Sequence, residues 1–218
     1  MAAVKEPAPR TYGGESGDER VARRRDALIL AAFDLVAEQG WRDLRIEHVC
    51  RAAGLNKRYF YESFKDLDAL TGALMEWLTA DVIEVTLAAM ELDAPPDELV
   101  HAGISALVHH ATDDPRRARI LFGETPAGEA AMRHRTAAIR RLAAVAAARG
   151  RAIHDVEDER LMDLSAGLLV GGTSQAVLDW IDGRLPVTRE AFIDDLAALW
   201  LMVGDGVEEL TRVRRDPR

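Results

Sequence analysis

Apolar residues return every three or four positions along most of this chain, and no stretch alternates with the period of two that a half-buried strand requires. Leu28, Ala31, Ala32, Leu35 and Val36 place one face of a helix that begins near Val21 and is stopped by Gly40. Ile46, Val49, Cys50 and Ala53 repeat at i, i+3, i+4 and i+7, a narrow stripe on a second, short helix. Asp66 then caps a long helix carrying Leu67, Leu70, Leu74, Trp77, Leu78, Val82 and Val85, which the pair Pro95 and Pro96 breaks. Further helices are predicted over 97–111, from Pro115 through Phe122, along an Ala-rich run ending near Gly150, and over 158–182 and 188–213, the last two separated by a turn at Gly183 and Pro186. The fold class is all-α, with three regions: a disordered arm (1–20), a small helical domain (21–66) and a larger helical domain (67–218).

Between the second and third helices the turn chemistry is specific. Gly54 sits where a helix closes in a left-handed cap, Leu55 packs back as that cap's apolar residue, and Asn56 is a good N-cap for the next helix. Two short helices joined this tightly form a helix-turn-helix. The helix after the turn crowds Lys57, Arg58, Tyr59 and Tyr61 into its first two turns, while Phe60 and Phe64, four apart, supply its inward face. Long donors on the outer face of such a helix suit phosphates and base edges in a DNA major groove. The alternative is a solvated surface with aromatic tips as spare packing. Arg23, Arg24 and Arg25 fall in the first turn of the helix that starts at Val21, the unfavourable end for cations; a nearby phosphate would compensate, and fully solvated arginines would also tolerate it.

From Arg25 to Leu70 the chain resembles, without a gap, the DNA-binding domain of the tetracycline-repressor (TetR) family of bacterial transcription regulators. The resemblance is carried by Ala31-Ala32, by Gly40-Trp41 at the end of the first helix, by Ala52-Ala53-Gly54-Leu55, and by Tyr61 followed by Phe64. It implies a homodimer on a double-stranded operator and a C-terminal domain that binds a small-molecule effector, with repression as the family's usual output. Three positions depart from the family pattern. Leu44 and Arg45 replace the usual hydroxyl residues before the second helix, leaving Asp43 as the candidate cap. Arg58-Tyr59 replaces a Gly-Thr pair, and Leu67 replaces a Lys for which Lys65 could substitute. The residues expected at DNA are Arg45, Asn56, Lys57, Arg58, Tyr59, Tyr61 and Lys65.

Charge distribution supports that placement. The whole chain is at -9, yet Arg20 to Lys65 holds ten Lys and Arg against six Asp and Glu, a local +4, so the remainder carries -13. A basic head on an acidic body turns one face toward a polyanion. One cysteine, Cys50, excludes an intramolecular disulfide and suits a reducing cytoplasm; it lies on an apolar stripe, where packing is the expected role. The N-terminus lacks an apolar run of signal-peptide length, and no membrane span is expected.

In the larger domain, Leu161, Leu164, Leu168 and Leu169 form a stripe followed by Gly171-Gly172. Each glycine inside a helix costs about 1 kcal/mol relative to Ala, which makes sense where another helix approaches closely. Phe192, Leu196, Leu199, Val203, Val207 and Leu210 repeat likewise, and two such helices from each subunit would make a four-helix dimer bundle. The interface candidates are Leu164, Leu168, Gly171, Gly172, Phe192, Leu196, Leu199 and Val203; the same stripes would also suit the chain's own core. An effector pocket is expected among the helices between Asp97 and Asp182, with His101, His109, Phe122, Met132 and Trp180 as candidates.

Catalytic signatures are missing. The sequence holds no Walker loop, G-x-S-x-G elbow, H-E-x-x-H or cysteine pair, and adjacent His109 and His110 point in different directions on a helix. No catalytic residue, cofactor or metal site is expected. The competing class is an all-helical ligand-binding or scaffolding protein that has lost operator binding, with Arg58-Tyr59 as its support.

Overall fold

The computed structural model describes residues 17–123, 128–154 and 159–215. Among them are nine α-helices and no strand. The chain divides into two compact units, with the boundary between Leu74 and Met75, inside a helix.

The first unit contains α1 (Gly17–Gln39), a single 3-10 turn (Trp41–Asp43), α2 (Ile46–Ala52), α3 (Lys57–Ser63) and the start of α4 (Leu67–Ala89). α1 begins before Val21, with Asp18 and Glu19 in its first turn. Carboxylates suit a helix N-terminus, and Arg23 to Arg25 fall beyond the first turn, where the mismatch read from the sequence disappears. The expected arm keeps only residues 17–20 within the described residues, and these are helical. Asp43 belongs to the 3-10 turn and does not cap α2; Arg45 occupies the N-cap, with no side-chain cap bond.

The turn after α2 has the geometry its residue types imply. Gly54 is left-handed at φ 66°. The Leu55 N–H donates to the Cys50 carbonyl at 2.8 Å and the Gly54 N–H to that of Arg51 at 3.2 Å, the paired bonds of a Schellman cap. Asn56 Oδ1 accepts from the Tyr59 N–H at 3.2 Å, opening α3 at once. Asp66 does the same for α4, accepting from the Ala69 N–H at 2.8 Å. Leu28, Ala32, Val49, Phe60, Phe64 and Leu70 are buried in this unit.

The second unit holds the rest of α4 with α5 (Pro96–Asp113), α6 (Pro115–Phe122), α7 (Gly128–His154), α8 (Glu159–Ile181) and α9 (Arg189–Arg215). α7 packs along α8, α5 along α9, and α8 also against α9. Asp114 caps α6 and Thr188 caps α9, their oxygens accepting from Arg116 and Ala191 N–H groups at 3.2 Å each. α7 runs through Gly150 to His154 instead of stopping there. Gly150 is a contact point: a Cβ on it would lie 2.9 Å from Met162 Sδ on α8. By length and composition α8 is apolar enough to cross a membrane. That apolarity serves two faces, an inner one with Met162, Ala166, Val170 and Val177 and an outer one with Leu164 and Leu168.

Candidate nucleic-acid interface and ligand cavity

α3 is held from behind. Phe60 is fully buried and its ring lies 5.8 Å from that of Phe64, so the inner face of this short helix is fixed by aromatic packing. Arg25, on α1, donates to the Ser63 carbonyl at 3.0 Å and lies over the Phe64 ring at 4.4 Å. Arg24 lies over the Tyr59 ring at 4.6 Å and its NH2 is 3.6 Å from Glu62. The arginines of α1 thus brace α3.

What remains outward is Lys57, Arg58 and Tyr61, all exposed. Lys57 pairs with Glu47 of α2; this bond pulls the Glu47 carboxyl below, and pushes the Lys57 ammonium above, its ordinary range. Arg58 pairs with Glu62 one turn on, at 3.1 Å. Exposed pairs of this kind contribute little and exchange readily for other anions. Arg45 is exposed, with its guanidinium donating to the Arg42 and Leu44 carbonyls, and Lys65 is exposed 3.8 Å from Asp66. Tyr59 is half-buried beneath Arg24, and the Asn56 side chain is occupied as a cap. Lys57, Arg58, Tyr61, Arg45 and Lys65 are therefore the exposed donors of this unit's candidate set, while Asn56 and Tyr59 carry structural contacts as well.

The second unit encloses a cavity of about 140 Å³, on a measure in which one water needs about 10–15 Å³. α4, α5, α7, α8 and α9 wall it, with Phe122 at the end of α6. It therefore extends beyond the helices between Asp97 and Asp182, taking in Val82, Thr86 and Met90 on one side and Trp200, Val203 and Val207 on another. Of the five residues expected there, Phe122 lines it.

The others lie elsewhere for identifiable reasons. His101 Nε2 meets Asp194 at 2.9 Å on an exposed surface, and His109 Nδ1 accepts from Arg189 at 2.9 Å. Met132 is exposed on α7. Trp180 stacks on Phe192 at 5.9 Å and donates to the Val187 carbonyl at 3.0 Å, closing the turn before α9. The two histidines and Trp180 thus find their polar partners outside the cavity.

Thr86, Arg149, His154, Ser165, Thr173, Ser174 and Trp200 are the polar wall residues that sequence reasoning missed. A signal for the cavity was present: Gly103, Gly150 and Gly204 sit inside helices, where glycine is costly, and all three line it. Met90 packs onto Gly103, Met162 onto Gly150 and the His154 ring onto Gly204.

The interface candidates also separate. Phe192 and Leu196 are buried in the unit's own core, and Val203 lines the cavity. Leu164, Leu168 and Leu199 are exposed, together with Met202, Leu210 and Val213. Gly171 and Gly172 face open space, with no atom within 4 Å of a Cβ built on either.

Residues 28–74 match the family model described as bacterial regulatory proteins, tetR family. The chain is similar in fold to a TetR-like transcriptional regulator from Rhodococcus sp. RHA1, at 16% identity over 83% of this chain and 94% of that one, TM-score 0.62. It is similar to the fatty acid degradation regulator FadR from Bacillus halodurans, at 16% identity over 81% and 97% of the two chains, TM-score 0.64. FadR from Bacillus subtilis, solved in complex with stearoyl-CoA, matches at 16% identity over 80% and 96%, TM-score 0.61. Residues 28–74 thus match the N-terminal domain of the tetR family, and the helical fold of the chain is similar to that of TetR-family transcriptional regulators.

Proposed function

We propose that this chain is a homodimeric repressor that holds a pseudo-palindromic operator through two copies of α3 and releases it when a small molecule fills the cavity of the second unit. The observation that carries this reading is the arrangement of α3: Phe60 and Phe64 locked inward, Lys57, Arg58 and Tyr61 exposed outward. Lys57, Arg45, Tyr61 and Lys65 serve as phosphate grips, with Arg58 reading a base edge, guanine first, and Tyr59 beside it. The exposed stripe of Leu164, Leu168, Leu199, Met202 and Leu210 supports a four-helix interface with a second copy, and open Gly171-Gly172 allows close approach. Two recognition helices then meet successive major grooves about 34 Å apart.

The effector acts through α4, which gives Leu70 and Leu74 to the first unit's buried set and Val82, Ile83 and Thr86 to the cavity wall. A coupling of about 1–3 kcal/mol, roughly 5–150-fold in DNA affinity, is what such linkage ordinarily supplies. The similar fold of the regulator solved with stearoyl-CoA supports reading the cavity as an effector site.

The test is fluorescence anisotropy of a labelled duplex from the protein's own upstream region, titrated at several salt concentrations. Binding that falls steeply with salt is expected. Arg58→Ala should lower preference for that duplex over a scrambled one by about 1–3 kcal/mol, and Tyr59→Ala should act in the same direction. Unchanged preference in both variants overturns the assignment of α3. A ligand-binding or scaffolding protein is the second reading, favoured by the pairing of Lys57 and Arg58 with the chain's own Glu47 and Glu62. No duplex binding at low salt, with a small molecule retained through purification, would establish it.

A further inference from the structure

The polar groups of the cavity are not equivalent. Ser174 Oγ donates to the Val170 carbonyl at 2.7 Å, and Trp200 Nε1 donates to Thr173 Oγ1 at 2.9 Å. His154 Nδ1 faces Asp205 and Glu208 at 3.6 and 3.8 Å, and Ser165 adds a hydroxyl on α8. Thr86 Oγ1 and Arg149 Nε are different: both are buried without a hydrogen-bond partner.

These two groups share one corner. Arg149 NH2 donates to the Met90 carbonyl at 2.7 Å, just past the end of α4 and four residues after Thr86. A Cβ on Gly103 would lie 2.8 Å from Met90 Sδ and 3.6 Å from Thr86 Cγ2, so Thr86 and Arg149 both border Met90. Among the described residues Arg149 has no carboxylate within ion-pair distance. A half-buried guanidinium with one carbonyl as its partner, beside an unpaired hydroxyl, is poorly compensated, and an oxygen acceptor from outside would satisfy both. Away from this corner the wall is aliphatic, with Val82, Ile83, Leu107, Leu142, Val145 and Ile153.

We propose that the cavity takes an amphiphile made of a hydrocarbon chain ending in an acidic or carbonyl oxygen head, with that head against Arg149 and Thr86. Such a ligand leaves water for the aliphatic wall and supplies the missing partner of a half-buried cation. The same head chemistry is offered by a free carboxylate and by a thioester carbonyl. The inference rests on reading the cavity as a ligand site, as proposed above.

The purified full chain is titrated with four probes of equal chain length below their micelle concentrations: dodecanoate, dodecanoyl-CoA, 1-dodecanol and dodecyltrimethylammonium. Trp200 lines the cavity, so tryptophan fluorescence reports occupancy, with calorimetry as a second readout. Dodecanoate or dodecanoyl-CoA should bind roughly 10–100-fold more tightly than the cation, with the alcohol between. Preference for the free acid identifies a carboxylate head, and preference for the thioester identifies its carbonyl. Arg149→Leu should bring the preferred probe to the level of the alcohol. Thr86→Val, close in shape and leaving Arg149 in place, should weaken it roughly 3–10-fold, which keeps the test open should Arg149→Leu fail to fold. Equal binding of the cation, or an unchanged order of affinities in the folded variants, overturns the proposal. DNA anisotropy in the same samples separates the two readings: an amphiphile that binds without releasing DNA leaves this site standing and removes the effector role. A ligand without such an oxygen head that enters the cavity and releases DNA does the reverse.

Discussion

The two units spend glycine and buried surface in opposite ways. In the first, Gly54 is a turn residue at φ 66°, every helix junction from α2 to α4 is capped or closed, and Phe60 and Phe64 fill the space behind α3. In the second, Gly103, Gly150 and Gly204 lie inside long helices and let Met90, Met162 and His154 settle against them around a hollow interior. A surface that reads a duplex gains from rigidity, because its donors must be in place before contact. A site that senses a small molecule needs unfilled volume and polar groups whose partners are absent.

That contrast is broken most forcefully at Phe60. Phe60→Ala removes a fully buried ring from behind the recognition helix and should cost about 3–5 kcal/mol, measured by denaturant unfolding, with DNA binding lost alongside. A loss below about 1 kcal/mol would mean that the first unit is not packed tightly.

Glycines sharpen it next. A Cβ on Gly204 overlaps the buried His154 ring, with Cε1 at 2.6 Å, so Gly204→Ala should destabilise by about 1–3 kcal/mol and alter ligand binding. Gly171→Ala meets open space and should instead stabilise the α8 helix of a single subunit by up to about 1 kcal/mol, while weakening dimerisation if a second copy approaches there. Thermal melts over a range of concentrations separate the two effects.

A smaller effect comes from His110 in the second unit. Its Nε2 lies 3.1 Å from Asp81, which favours the protonated ring, as does Asp113 nearby. Burial and then the Arg117 guanidinium oppose this and lower its pKa overall. Below the ordinary histidine range the unfolded chain therefore takes up a proton that the folded one resists. Stability should be unaffected above about pH 6.5 and fall as pH drops below it toward the folded value. His110→Asn should flatten that acid-side loss in melts between pH 7 and 5; an unchanged slope would place the proton uptake elsewhere. Cys50 is the least consequential: burial raises its thiol pKa, so a thiol reagent should modify it only as fast as the first unit opens.

The same contrast explains what could be read from the sequence. Short helices with caps and left-handed turns are written in local chemistry, and Gly54, Asn56, Asp66 and Asp114 occupy the positions their residue types imply. The start of α1 was less legible, because Asp18 and Glu19 stabilise a first turn that has no apolar face. Periodicity along α9 gave a stripe but not its depth. Phe192 and Leu196 turn into the core, Val203 into the cavity and Leu199 outward, since a long helix is apolar on more than one side. The cavity itself depends on where helices diverge, which no local pattern states. Arg149 and Thr86 stand out because of what fails to meet them, and that is visible in three dimensions alone.

One measurement bears most directly on the regulator reading: selection of duplexes from a random pool by the purified chain, with sequencing of those retained. Enrichment of an inverted repeat whose half-sites are centred about one helical turn apart is expected, and Arg58→Ala should blur the same position in both halves. A pool that stays random at low salt, or a retained sequence without two-fold symmetry, would contradict it.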